Sequence, residues 1–109
     1  MAQNVRPRVR VPREASAGET IEIKTLISHP MESGQRKDDD GNTIPRSIIH
    51  RFTCEFNGQM VMDVALEPSV STNPFFEFFA VVPESGTFTF TWYDDDGDIY
   101  TDAKEIAVT

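Results

Sequence analysis

Apolar and polar residues alternate with a period of two over most of this chain, which is the signature of β-strands with one face buried. In Thr20–Ser28, Ile21, Ile23, Thr25 and Ile27 share one side, while Glu22, Lys24, Leu26 and Ser28 share the other. Ile48–Phe56 sets Ile48, His50, Phe52, Cys54 and Phe56 on one face and Ile49, Arg51, Thr53 and Glu55 opposite. Asn57-Gly58 follows, the dipeptide of a type I′ hairpin turn, whose two central residues take positive φ. The returning strand Gln59–Leu66 groups Met60, Met62, Val64 and Leu66. Thr87–Trp92 points Phe88, Phe90 and Trp92 inward and Thr87, Thr89 and Thr91 outward. A first strand, Val5–Val11, contains Pro7, which marks an edge, and Ile99–Val108 is the last strand. Ser16–Glu19, Glu84–Gly86 and Asp94–Asp98 read as turns, and Glu67–Pro74 as a loop bounded by two prolines.

About seven short strands joined by Asn-Gly, Ser-Gly and Asp-Gly turns, with no window of helical period, predict an all-β fold. The expected arrangement is an immunoglobulin-like antiparallel β-sandwich with Trp92 as its core tryptophan; a closed β-barrel is the alternative. The 109 residues suit one domain spanning 1–109. At that length folding buries roughly 65 % of the unfolded chain's surface, enough for a core without disulfides or metals.

Two stretches break the pattern. Phe75–Val82 is apolar on both faces, with Phe76, Phe78, Ala80 and Val82 on one side and Phe75, Phe79 and Val81 on the other, interrupted only by Glu77. Either the strand offers a partner surface, with Phe75, Phe76, Phe79 and Val81 as contact residues, or a loop covers its second face. The same strand leaves self-association open when no partner is present. The second stretch, His29–Ser47, has neither strand nor helix periodicity. Loops longer than about 12–15 residues are uncommon in compact domains and usually carry function or are disordered. This one holds His29, Met31, Arg36, Lys37, three aspartates and Arg46.

Charge and cysteine content narrow the function. The net charge is −8, yet residues 1–13 contain Arg6, Arg8, Arg10 and Arg13 and no acid, which leaves 6 basic against 18 acidic residues elsewhere, a balance of −12. An acidic body repels nucleic-acid phosphates. The arginines alternate with Val5, Val9 and Val11, as on an edge strand charged against aggregation, or in an anion or partner site. One cysteine, Cys54, rules out an internal disulfide. No apolar run follows a basic start, so neither a signal peptide nor a membrane-spanning helix is expected.

No catalytic or metal constellation emerges. The Asp38–Asn42 and Asp94–Asp98 clusters suggest calcium, but placing Gly41 or Gly97 at the sixth position of the helix-loop-helix motif puts Arg36 or Trp92 first and Ser47 or Ala103 twelfth. Both ends fail, and ordinary Asp-Gly turns account for the clusters. His29 and His50 are not spaced with other ligands as metal sites require. Cys54 and His50 share a predicted face with Phe52 and Phe56, where a buried thiol is a poor nucleophile, so Cys54 is expected in the core. No metal and no cofactor is expected.

Several strings carry a resemblance. They are Thr25–Ser28 leading into His29-Pro-Met-Glu-Ser-Gly-Gln-Arg-Lys-Asp38, Ile44-Pro-Arg-Ser-Ile-Ile49, and Phe52-Thr-Cys-Glu-Phe-Asn-Gly58. Asn73-Pro74 before aromatics and Phe90-Thr-Trp-Tyr-Asp-Asp-Asp-Gly97 complete the set. In this order, over nearly the whole chain, they resemble the SoxZ family. The resemblance implies an immunoglobulin-like, non-catalytic subunit bound to SoxY in the carrier complex of bacterial sulfur and thiosulfate oxidation. In that family SoxY holds the sulfur intermediates on a cysteine in a Gly-Gly-Cys-Gly-Gly arm. This chain ends Glu105-Ile-Ala-Val-Thr109, without such an arm. The resemblance further implies a periplasmic location, reached by export with the signal-bearing partner, and transient contact with other sulfur-oxidation enzymes. His29, Met31, Arg36, Lys37 and Arg46 would then lie near the carrier arm or on an enzyme-docking surface, their basic groups favouring an anionic adduct. Alternatively, Arg36 and Lys37 neutralise Asp38–Asp40 within the loop. A stand-alone sandwich module binding a small ligand, a carbohydrate or another protein is the rival function, and an enzyme using Cys54 is the third.

Overall fold

The alternating runs fold as strands because one face of each finds the same core. The computed structural model describes residues 5–67 and 73–109; part of the expected Glu67–Pro74 loop lies outside them. In chain order the strands are β1 (Pro7–Arg10), β2 (Glu14–Ala15), β3 (Glu19–Ile27), β4 (Ile49–Phe56), β5 (Gln59–Ala65), β6 (Phe75–Val82), β7 (Gly86–Asp94) and β8 (Ile99–Val108). They form two sheets, β1-β3-β6 and β2-β8-β7-β4-β5. Both sheets have open edges, so the arrangement is a sandwich and not a closed barrel. All pairings are antiparallel except β2 with β8, which is parallel over Glu14↔Ala107 and Ala15↔Val108. β2 is too short to show periodicity and exists only because β8 lies beside it.

Phe52 of β4 joins the layers. Its ring stacks on Phe76 at 5.0 Å and meets Phe78 edge-on at 6.4 Å, both from the opposite sheet, with Trp92 5.1 Å away on its own sheet. Such aromatic contacts add about 0.5–1.5 kcal/mol each beyond the area they bury. Ile21, Ile23, Thr25 and Ile27 face inward as their spacing predicts, as do Phe88, Phe90 and Trp92. Cys54 is completely buried and unpaired.

Two bulges shift the predicted faces. Between Ile49 and Arg51 the register with β7 slips, so Ile48 and Ile49 are both buried and His50 is exposed. His50 therefore leaves the face of Cys54, and the Cys-His pairing suggested by spacing does not form. Opposite the Cys54/Glu55 step, Val61 is the extra residue of β5, and Met60 turns out to solvent (51 % exposed) away from Met62, Val64 and Leu66. A bulge reverses the phase of every residue beyond it, which periodicity alone does not reveal.

Candidate functional site

The long connection between β3 and β4 is a folded hairpin. Glu32 and Ser47 exchange both backbone hydrogen bonds at 2.8 Å, and further out the Ile44 amide donates to the Arg36 carbonyl at 2.8 Å. A second bridge pairs Lys37 with Thr43. At the tip, Asp38 Oδ1 accepts the amides of Asp40 (3.0 Å) and Asn42 (2.9 Å), and the Gly41 amide donates to the Asp38 carbonyl. This is an aspartate-capped turn, the chemistry expected of Asp-Gly. The hairpin lacks strand periodicity because it has little core of its own to face.

Its base is built into the sandwich. The imidazole Nδ1 of His29 accepts the Met31 amide at 2.9 Å, and the Met31 sulfur accepts the Ile49 amide at 3.2 Å. Met31 takes φ = 51°, an uncommon value for a side-chain-bearing residue, held here by those two bonds. The His29 amide donates to Asn73 Oδ1 at 2.9 Å, and the Asn73 amide donates back to the His29 carbonyl. Among the described residues His29 Nε2 makes no hydrogen bond, and it lies 3.7 Å from Asp94 Oδ2. Burial lowers the His29 pKa, against the opposing pull of Asp94 and, more weakly, Asp96 and Asp95. His29 and Met31 are only 1 % and 6 % exposed. Expected on a docking surface, they instead pin the hairpin from inside, because an imidazole and a thioether in this setting pack against the core.

The β7–β8 turn receives the hairpin. Asp94 Oδ1 accepts the amides of Asp96 (2.9 Å) and Asp98 (3.0 Å), and its Oδ2 accepts the Tyr100 hydroxyl at 2.8 Å. Asp95 grips Arg46 through Nε (2.7 Å) and Nη2 (3.0 Å), accepts the Ile48 amide at 3.2 Å and stands 3.3 Å from His50 Nδ1. The Arg46 hydrogen bonds hold the Asp95 carboxyl below its ordinary pKa. Ser47 Oγ donates to Asp96 at 2.8 Å. The sequence marks Asp94 and Asp95 only as part of a turn and a rejected calcium cluster, marks Asn73 only within a family string, and gives Tyr100 no role. Arg46 and Asp95 are 49 positions apart, and no local signal joins them.

Three of the predicted loop residues do reach the surface, in different states. Arg46 is engaged by Asp95. Arg36 forks onto Glu32, which lowers the Glu32 pKa, so Arg36 does not neutralise Asp38–Asp40. Lys37 is exposed and makes no ion pair among the described residues. Asp94, Asp96 and Asp98 bring carboxylate oxygens within 4.8 Å of one another. The Asp94 oxygens are committed to turn amides and Tyr100, which is what folding this turn needs.

The second candidate region is the outer face of β6. Phe75, Phe79 and Val81 are 55 %, 63 % and 59 % exposed. The long hairpin docks on the β7–β8 turn and leaves this face open. Phe76, expected with these three, is half-buried and faces Phe52 in the core, because it belongs to the alternate set of the strand. Across the sheet, the register sets Arg8 beside Leu26 and Leu26 beside Phe75, and Arg10 beside Lys24 and Lys24 beside Glu77. The face thus grades from basic on β1 to apolar on β6. Cys54 has its pKa pushed up to about 12, first by burial, so it is a thiol and not a nucleophilic thiolate.

Comparison with known proteins agrees with this architecture. A superoxide reductase (neelaredoxin) from Ignicoccus hospitalis superposes with a TM-score of 0.73 at 18 % identity, covering 96 % of this chain and 82 % of that one. The sulfur carrier protein SoxY from Chlorobium limicola f thiosulfatophilum superposes with a TM-score of 0.67 at 14 % identity, covering 94 % and 78 %. A CARDB domain from Pyrococcus furiosus, crystallised with di-metal ions, gives 0.55 at 12 % identity, covering 97 % and 88 %. Identities this low carry the sandwich fold and nothing of the activities. No curated protein matches the sequence. The family described as "Sulphur oxidation protein SoxZ" matches residues 9–105, nearly the entire chain, in agreement with the strings that carried the resemblance. The chain belongs to the SoxZ family of sulfur-oxidation proteins.

Proposed function

We propose that this protein is the non-catalytic subunit of a periplasmic sulfur-carrier complex, paired one-to-one with a SoxY-like subunit that holds the sulfur intermediate on its own cysteine. Membership of the SoxZ family over residues 9–105 is the observation that carries the reading. The buried, protonated Cys54 is consistent with a chain that binds no sulfur itself. The exposed Phe75, Phe79 and Val81 supply the partner contact. The anchored hairpin presents Arg36 and Lys37 to the carrier arm or to the enzymes that visit it, where cations favour an anionic adduct. Export in company with the signal-bearing partner accounts for the periplasmic location.

Native mass measurement of the chain, expressed with and without a SoxY-like subunit, tests the assembly. A stable one-to-one heterodimer is expected. A monomer indifferent to the partner favours the stand-alone binding module instead. In Phe75→Ser/Phe79→Ser the lost burial is about 2–3 kcal/mol, roughly 30- to 150-fold in Kd. An unchanged Kd in a folded double variant refutes the contact assignment. Arg36→Ala/Lys37→Ala is expected to slow thiosulfate turnover in a reconstituted system with the heterodimer intact; wild-type turnover would leave the hairpin tip without that role.

A further inference from the structure

Among the described residues the two open sheets leave four edges, β1, β6, β2 and β5, and natural proteins protect such edges against unwanted pairing. β1 is four residues long and carries Pro7, Arg8 and Arg10; β2 is two residues long; β5 is bent by its bulge at Val61. β6 runs eight residues without a bulge, a proline or a lysine, and Glu77 is its one charge.

The backbone direction of β6 follows from two bonds. The Ile27 amide donates to the Pro74 carbonyl at 3.2 Å, and the Ser28 amide donates to the Arg6 carbonyl at 3.1 Å. Hydrogen-bonded and non-hydrogen-bonded pairs alternate along an antiparallel ladder. Thr25, Ile23 and Ile21 therefore bond toward β6, and Leu26 and Lys24 toward β1, in the observed registers. Their β6 partners Phe76, Phe78 and Ala80 turn their amides and carbonyls to β3. Phe75, Glu77, Phe79 and Val81 turn theirs to the open edge. The same four residues project their side chains outward, so backbone unpaired among the described residues coincides with exposed apolar surface. Beside the far end of the strand, a cleft of about 280 Å³ runs between β5 and β6, lined by Met60, Val61, Val81 and Pro83 among others.

We infer that the SoxY-like partner binds by adding an edge strand of its own to β6, extending the β1-β3-β6 sheet across the heterodimer. The inference rests on the carrier-subunit reading and specifies how that contact is made. Main-chain bonds supply the pairing, and alternate side chains supply the specificity. The solved SoxY chain has the same sandwich architecture, so a partner of that fold brings strands with edges of their own. The strand that fits is apolar where it continues the row of Phe75, Phe79 and Val81, and basic or polar where it meets Glu77. Glu77 makes no ion pair among the described residues, while its neighbour Lys24 is engaged by Glu22 at 3.3 Å.

Residue-resolved hydrogen exchange on the wild-type chain, free and in the co-expressed heterodimer, tests this. In the free chain the amides of Phe76, Phe78 and Ala80 are expected to be protected, and those of Phe75, Glu77, Phe79 and Val81 to exchange quickly. In the heterodimer the second group slows by about tenfold or more, as new ladder bonds require. A heterodimer in which these four amides exchange as before overturns the strand addition and leaves the carrier-subunit reading standing. Absence of any heterodimer removes both. A pair of variants provides a second reading. Both Glu77→Pro and Glu77→Thr remove the carboxylate, but only the proline also removes the outward-facing amide, a change edge strands tolerate, so Glu77→Pro is expected to weaken assembly by about tenfold or more beyond Glu77→Thr. Equal affinity of the two variants, each folded by its melting curve, overturns the inference.

Discussion

Acidification tests the buried histidine that holds the hairpin. His29 Nδ1 accepts the Met31 amide, so the network assigns a neutral ring with its proton on Nε2, facing Asp94 Oδ2 at 3.7 Å. Protonating Nδ1 would turn that acceptor into a donor aimed at another donor. Burial lowers the pKa from 6.5, against Asp94, Asp96 and Asp95. Below pH 6.5 the unfolded chain takes up a proton that the folded chain refuses, so stability is full above 6.5 and is lost as the pH falls. The slope is at most about 1.4 kcal/mol per pH unit, reaching about 1.4 kcal/mol by pH 5.5 if the folded ring stays neutral. With a urea m-value of about 1–1.5 kcal/mol/M for a domain this size, the midpoint drops by about 1 M between pH 7.5 and 5.5. The lowered carboxylates Glu32, Asp63 and Asp95 lose their contribution only as pH falls further, through the ordinary carboxylate range and below. Urea titrations from pH 7.5 to 5.5, on wild type and His29→Asn, measure the effect. The asparagine Oδ1 replaces Nδ1 as acceptor for Met31 but does not titrate, so this variant is less stable throughout and flat with pH. Equal pH slopes in the two proteins, or a flat wild type, refute the assignment.

Cys54 is expected to resist thiol reagents at pH 8 in the native protein and to react only on unfolding, because it is buried with its pKa raised to about 12. Cys54→Ser should cost about 1–3 kcal/mol for the buried hydroxyl while sparing sulfur carriage in the assembled complex; rapid native labelling, or loss of carriage in a folded variant, would count against a structural role. Gly34→Ala should destabilise the hairpin by about 1–2 kcal/mol, visible as faster exchange of the Glu32 and Ser47 amides. Gly34 has φ = 85°, and an added Cβ would lie 3.0 Å from Arg46 Cβ. Unchanged exchange would show that the backbone relaxes freely there.

The alternating runs by themselves determined an all-β fold, its inward aromatics and its turns, while the two open sheets decided for the sandwich over a closed barrel. Burial with a period of two is local information, as is the preference of Asn57-Gly58 for a tight turn. The string from His29 to Asp38 likewise placed the chain in its family. Only the tertiary structure decided how the segments meet. The bulges that expose His50 and Met60 arise from pairing with β7 and β5. The segment His29–Ser47 reads as irregular because its outer part has little core of its own to face. Its anchors, Asp94 and Asp95, stand on a turn distant in sequence. His29 and Met31 looked like surface chemistry because a polar or sulfur-bearing residue does not announce whether its partners lie in solvent or in the core. For Phe75–Val82 the composition signalled two apolar faces, and strand order settled that it is an open edge. Hydrophobic periodicity records which side of a strand is buried; it carries no record of which strand lies next to it.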